Sequence, residues 1–155
     1  MSFEDLKITR QFLNALEDAG FNTPTPIQVK GIPAVRSGQD VIGIAQTGTG
    51  KTAAYILPLA QIIKYAQGDA PRCLILVPTK ELVIQVQRQT EELIKYTDLR
   101  TVALYGGIGP KAQEAQVSSG CDIIIATPGR FFDIYGSGVL VTKKIKYLVL
   151  DEADR

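Results

Sequence analysis

Ala45-Gln46-Thr47-Gly48-Thr49-Gly50-Lys51-Thr52 is the stretch on which the fold turns. An apolar run, Val41–Ala45, leads into it, and a helical pattern over Lys51–Ala66 leaves it. Strand, glycine-rich turn and helix, in that order, form the context of a phosphate-binding loop. Gly48 and Gly50 tolerate positive φ and close backbone approach, so that N–H groups can converge on phosphate oxygens. A helix opening at Lys51 aims the positive end of its dipole at the same point. Lys51 has the reach for β- and γ-phosphates, and the Thr52 hydroxyl suits Mg²⁺. The general pattern starts with Gly where this chain has Ala45, so the match rests on Gly48–Thr52. A glycine-rich turn with an exposed lysine is the plainer alternative.

Outward from the loop, short β-branched runs alternate with helical patterns. The runs predict strands over Val41–Ala45, Cys73–Val77, Thr101–Tyr105, Asp122–Ala126 and Lys146–Leu150. Several are apolar without alternation, as in strands of a parallel sheet covered on both faces. Helices are predicted over Arg10–Ala19, Pro26–Arg36 (weakened or interrupted at Pro33), Lys51–Ala66 (kinked at Pro58) and Thr79–Tyr96, with short ones after Pro110 and Pro128. Gly20 is placed as the residue that ends the first helix. The alternation predicts an α/β domain: a mostly parallel P-loop sheet sandwiched between helices.

Bulk properties exclude several classes. The 155 residues suffice for one domain, expected over 1–155. The net charge of +1, from 17 basic and 16 acidic side chains, provides no bulk basic footprint for nucleic acid. Histidine is absent, which removes His-based triads and the usual zinc sites. Cys73 and Cys121 each begin an apolar run and read as buried free thiols. No apolar run nears the ~20 residues needed to span a bilayer, and Met1-Ser2-Phe3-Glu4-Asp5 has no signal-peptide pattern. The expected location is cytoplasmic.

Leu148-Val149-Leu150-Asp151-Glu152-Ala153-Asp154 is an apolar strand running into carboxylates. Asp151 is placed to hold Mg²⁺, and Glu152 to orient or deprotonate an attacking water. A bridging Mg²⁺ offsets the repulsion of the paired acids. A solvated turn is the plainer alternative; the pair gains meaning from the P-loop about 100 residues upstream.

With both motifs in hand, the chain resembles the N-terminal RecA-like domain of DEAD-box ATP-dependent RNA helicases, from Phe3 to Asp154. Ala at the first loop position is usual in that family, and Asp151–Asp154 spells its name motif. Gly20-Phe21-Asn22-Thr23-Pro24-Thr25-Pro26-Ile27-Gln28 is similar to its Q motif, taken as residues 1–29 with Phe3 as the upstream aromatic. The resemblance implies that Phe21 stacks on adenine and that Gln28 reads its edge, as a carboxamide with one donor and one acceptor group can. It implies ATP and Mg²⁺ as cofactors, with Gln46, Thr47, Gly48, Thr49, Gly50, Lys51 and Thr52 around the phosphates. Lys51, Asp151 and Glu152 would be catalytic, and Thr52 and Asp151 the metal ligands. Core packing for Phe3 and Phe21, and a surface position for Gln28, are the structural alternatives.

Three further stretches resemble motifs that track RNA in this family. Pro78-Thr79-Lys80 carries Lys80 where Arg is usual, keeping the charge but losing the bidentate fork. Gly106-Gly107 matches the glycine doublet, and Thr127-Pro128-Gly129-Arg130 matches without change. Thr79 and Thr127 each follow a strand and open a helix at the sheet's C-terminal edge, where open α/β sheets bind ligands. Such helix N-termini grip phosphates, so RNA binding is expected to be independent of base sequence. Ordinary helix capping by both threonines stays open beside that reading.

The resemblance also implies a second RecA-like domain outside these residues, supplying arginine fingers and the other half of an RNA clamp. Such a finger is worth ~10³–10⁵ in rate, about 4–7 kcal/mol of barrier. The 155-residue chain alone is therefore expected to bind nucleotide weakly and to hydrolyse it negligibly. In RecA-like sheets a strand after the acidic motif inserts between that motif's strand and the P-loop strand, so a gap with bare strand edges is expected here. A DNA helicase or translocase, or a non-catalytic binding module, are the competing functions. The Q motif and Asp154 argue against the first, and the intact Lys51, Asp151 and Glu152 against the second.

Overall fold

The computed structural model describes residues 1–46 and 48–152. Ten elements follow in order: α1 Arg10–Asp18, α2 Pro26–Arg36, α3 Lys51–Ile63, β1 Cys73–Leu76, α4 Lys80–Ile94, β2 Thr101–Leu104, α5 Lys111–Ser118, β3 Ile123–Ala126, α6 Pro128–Gly136 and β4 Tyr147–Leu150. They form two compact units, residues 1–65 with 89–98, and residues 66–88 with 99–155.

The first unit is helical. In α1 the apolar spacing buries Phe12, Ala15 and Leu16, and Gly20 ends the helix at φ +83°. The α2 helix runs unbroken through Pro33. It packs closely on α3, since a Cβ added at Gly31 would lie 3.6 Å from that of Ala54. Pro58 is likewise accommodated inside α3, whose Ile56, Leu57 and Leu59 are buried. The Thr9 N–H donates to Gln61 Oε1 at 2.8 Å, and Asp18 pairs with Lys95 at 2.8 Å while accepting from the Tyr96 hydroxyl.

The second unit holds an all-parallel sheet in the order β2-β3-β1-β4. Its interior strands are buried on both faces, as their unbroken apolar runs require. Leu74, Val102, Leu104, Ile124 and Ala126 pack with Val117 of α5 and Phe131 and Ile134 of α6. On the other face Ile75, Ile123 and Ile125 are equally buried. The sheet's registers put Leu104, Ala126, Leu76 and Leu150 in one row. The segments that follow them therefore leave the same edge in that order, spaced by ~4.8 Å per strand.

One predicted strand does not form. Residues 41–45 are outside any ladder, and Ile42 and Ile44 are 92% exposed. An extended segment becomes a strand only when a neighbour satisfies its N–H and C=O groups. Among the described residues none does so for this segment. The β4 strand pairs with β1 alone, and its Leu148 and Leu150 are 59% exposed.

At the opposite, N-terminal edge of the sheet lies a buried carboxylate. Asp122 is fully buried. Its Oδ1 accepts from Arg72 Nη2 at 2.8 Å and Arg100 Nη2 at 3.1 Å, and its Oδ2 from Arg100 N at 2.8 Å and Nε at 3.1 Å. Burial pushes this carboxyl upward. Hydrogen bonds from the Arg100 and Arg72 side chains, and from the backbone N–H groups of Arg100 and Gln67, outweigh burial and hold it below the usual carboxylate range. One acid thus ties together the chain entering β1, β2 and β3.

Candidate functional site

The phosphate loop belongs to the first unit and has the predicted backbone. Gly48 and Gly50 sit at φ +86° and +82°, the left-handed region that only glycine enters without strain. Gly50 is the N-cap of α3, so Lys51 and Thr52 form its first turn. A helix N-terminus presents N–H groups beyond the intrahelical ladder, and together with the helix dipole it suits an anion. Thr49 Oγ1 donates to the Gln46 carbonyl at 2.5 Å, closing the loop on itself. Gln46 and Gly48 are exposed, and Lys51 and Thr52 half-buried. Thr47 lies outside the described residues.

Gln28 is built into this loop rather than set on a surface. It is fully buried at the third position of α2. Its Oε1 accepts from Thr25 N at 2.9 Å, closing half of a capping box. Its Nε2 donates to the Gly50 carbonyl at 3.1 Å. A Cβ at Gly50 would fall 2.2 Å from that Nε2 and 3.1 Å from the amide carbon, so glycine is demanded there by φ and by contact together. Each amide atom of Gln28 keeps one further bonding capacity, an N–H and a lone pair. Phe21 follows α1 half-buried, its N–H bonded to the Leu16 carbonyl at 2.9 Å. Phe3 is 4% exposed and serves as a core residue.

In the second unit the remaining predicted residues emerge from the C-terminal edge of the sheet. After β4, Asp151 donates its N–H to the Leu76 carbonyl at 3.0 Å, which fixes the strand end. Glu152 takes φ +56°, a conformation costing ~1–2 kcal/mol for a residue with a Cβ. Ala153 and Asp154 lie outside the described residues. After β1, Pro78 leads to Thr79, whose Oγ1 accepts from Leu82 N at 3.2 Å, so this threonine does cap α4. The Lys80 ammonium lies 5.4 Å from the Tyr105 ring centroid, a cation–π contact. After β2, Gly106 and Gly107 are exposed, with Gly107 at φ +91°. After β3, Thr127 is the N-cap of α6 without a side-chain capping bond, Pro128 is its first residue, and Gly129 faces open space. Pro78, Thr79 and Lys80, Gly106 and Gly107, and Thr127 to Arg130 thus line one edge, with Asp151 beyond them.

Arg130 is turned inward. Its side chain is 11% exposed. Nη1 donates to Gln113 Oε1 at 3.1 Å and Nη2 to the Ile108 carbonyl at 2.9 Å, while Asp133 Oδ2 stands 3.6 Å from Nε. Gln113, missed in the sequence, is 2% exposed. Its one signal is its place four residues before Val117, on the buried line of α5. Asp122 was missed as well; its signal is an acid between Cys121 and Ile123, with arginines directly before two other strands.

The residues fit a magnesium nucleotide. The two positive-φ glycines form a cradle that a Cβ at position 50 would obstruct. Thr52 in the first unit and Asp151 in the second each carry the kind of hard oxygen donor that Mg²⁺ takes beside phosphate and water. The DEAD/DEAH box helicase model matches residues 25–155. The pre-mRNA-processing ATP-dependent RNA helicase PRP5 of Gibberella zeae is 42% identical over 155 residues, 96% of this chain and 13% of the relative. The ATP-dependent RNA helicase ddx23 of Dictyostelium discoideum is 39% identical, over 99% of this chain and 19% of the relative. The crystal structure of the yeast DEAD-box splicing factor Prp28 superposes with a TM-score of 0.85 at 37% identity, covering 95% of this chain and 37% of that one. The chain thus spans less than a fifth of either curated relative, and it belongs to the DEAD/DEAH box helicase family.

Proposed function

We propose that this chain is the ATP-binding part of an ATP-dependent RNA helicase, which joins magnesium-nucleotide binding to a sequence-independent grip on an RNA backbone. The observation that carries the reading is the buried Gln28 amide bonded to the Gly50 carbonyl. It links a group able to read a base directly to the loop that holds phosphates.

In this reading Phe21 stacks on adenine, and Gln28 uses its remaining N–H and lone pair on the adenine edge. Gln46, Thr47, Gly48, Thr49 and Gly50 surround the phosphates with backbone N–H groups, and Lys51 neutralises the β- and γ-oxygens. Thr52 and Asp151 hold Mg²⁺, which when bound supplies charge neutralisation on the phosphate oxygens. Glu152 orients the attacking water and receives its proton. The RNA face comprises Pro78, Thr79, Lys80, Gly106, Gly107, Thr127, Pro128 and Gly129, and Arg130 supports it from within through its inward guanidinium. Unwinding or remodelling of RNA then needs the second RecA-like domain as partner. Among the described residues no helix is long and apolar enough to cross a membrane, and we place the protein in the cytoplasm, where Cys73 and Cys121 stay reduced.

Fluorescent-nucleotide competition tests the base-reading step. ATP should outcompete GTP strongly, and Gln28→Ala should abolish most of the difference. A parental protein that binds the two equally would remove the foundation of the proposal. RNA-stimulated hydrolysis by the full protein, lost in Glu152→Gln, tests the catalytic step.

A further inference from the structure

We infer that Gln113 is a positioning residue for RNA binding: its side chain locks the Gly106-Gly107 loop to the Arg130 guanidinium and so holds the loop in shape before RNA arrives. The inference rests on the RNA face proposed above and goes beyond it to a residue outside every motif quoted so far.

The geometry is a two-armed brace. Gln113 Nε2 donates to the Tyr105 carbonyl at 3.0 Å, where β2 ends and the loop begins. Gln113 Oε1 accepts from Arg130 Nη1 at 3.1 Å. Arg130 Nη2 then returns to the same loop at the Ile108 carbonyl, at 2.9 Å. The loop is thus held at both ends of the glycine pair by one amide and one guanidinium. Neither group is spent on solvent, since Gln113 is 2% exposed and the Arg130 side chain 11%.

The loop needs such a brace. Residues 106–110 are all exposed, two adjacent glycines resist ordering more than any other residue pair, and no Cβ placed at Gly106 or Gly107 would meet another atom. A binding loop fixed in advance spares RNA association the entropy of ordering it. The brace also explains why Arg130 points inward: its charge steadies the Ile108 carbonyl while Gly106 and Gly107 stay exposed. A buried glutamine with its acceptor on arginine and its donor on a carbonyl satisfies both partners, which no apolar or carboxylate residue of that size would do.

The test uses the full protein carrying this domain, titrated with fluorescent single-stranded RNA, against Gln113→Met, Gln113→Glu, Arg130→Met and the double Gln113→Met/Arg130→Met variant. Gln113→Met should raise the RNA Kd by ~10-fold or more while leaving the ATP Kd, measured without RNA, unchanged. Gln113→Glu keeps the acceptor for Arg130 and loses the donor to Tyr105, so its RNA Kd should fall between the two. It also keeps a buried partner for the guanidinium, and it serves as the deciding variant if Gln113→Met fails to fold. The double variant should bind RNA about as Arg130→Met does, because both substitutions cut one brace. Parental RNA affinity in Gln113→Met, or in Gln113→Glu should that be the folded variant, would overturn the inference, as would simple additivity in the double variant. A parental protein that does not bind RNA at all would instead strike the underlying functional reading.

Discussion

Replacing Gly50 with alanine separates two costs that the structure superimposes at one position. The first is conformational: φ is +82°, and a residue with a Cβ loses ~1–2 kcal/mol there. The second is contact: the new Cβ would stand 2.2 Å from Gln28 Nε2, so the amide must swing away from the Gly50 carbonyl. A buried amide left without its partner costs ~1–3 kcal/mol. Lower entropy of the unfolded chain returns ~0.4–1 kcal/mol. The net expectation is a loss of ~2–4 kcal/mol, or roughly 5–15 °C in Tm for a chain of this length. Gly48→Ala is the internal control, because φ is +86° there but nothing lies within 4 Å of an added Cβ. Thermal unfolding by circular dichroism should therefore rank Gly50→Ala below Gly48→Ala. In a Gln28→Ala background the two alanines should cost the same. Equal losses in the unmodified background, or an undiminished Gly50 cost once Gln28 is truncated, would mean that the Gln28 contact contributes nothing at position 50.

Three other outcomes are expected. Asp122→Asn should destabilise by about 3 kcal/mol, since it leaves two arginines without their buried anion; urea unfolding measures it. Because this carboxyl is held below its unfolded value, its contribution is present above pH ~4 and fades as pH falls through the folded pKa. The variant should lose that part of the acid dependence. Lys80→Ala should weaken RNA binding and reduce the slope of log affinity against log salt by about 0.7, the share of one phosphate contact on a single strand. Burial pushes the Cys73 thiol up to about 12, and burial with the neighbouring Asp122 charge pushes Cys121 to about 12, so iodoacetamide at pH 8 should label neither until the chain unfolds.

What could be read from the sequence was what local chemistry determines. The interior strands were legible because Leu74-Ile75-Leu76 and Ile123-Ile124-Ile125 suit burial on both faces, and the helices because their apolar spacing marks one side. The phosphate loop was legible because its glycines are needed for backbone reasons that hold in any context. Residues 41–45 have the composition of a strand, but a strand also needs a neighbour, and composition does not supply one. Gln113 and Asp122 were invisible for a related reason. Each is one polar residue whose role exists only through partners 8 to 55 positions away. Arg130 was legible as a functional residue but not its direction, since a motif specifies a side chain's identity and not which groups it meets.

The reading proposed above has the Gln28-braced loop and the Asp151-Glu152 pair serve one magnesium nucleotide. A crystal structure of the full protein with a non-hydrolysable ATP analogue, Mg²⁺ and single-stranded RNA tests it most directly. Adenine is expected between Phe21 and Gln28, phosphates on Gly48–Thr52, and the metal shared by Thr52 and Asp151 with Glu152 facing the terminal phosphate. A nucleotide bound elsewhere, or carboxylates turned away from Lys51 in that complex, would contradict it.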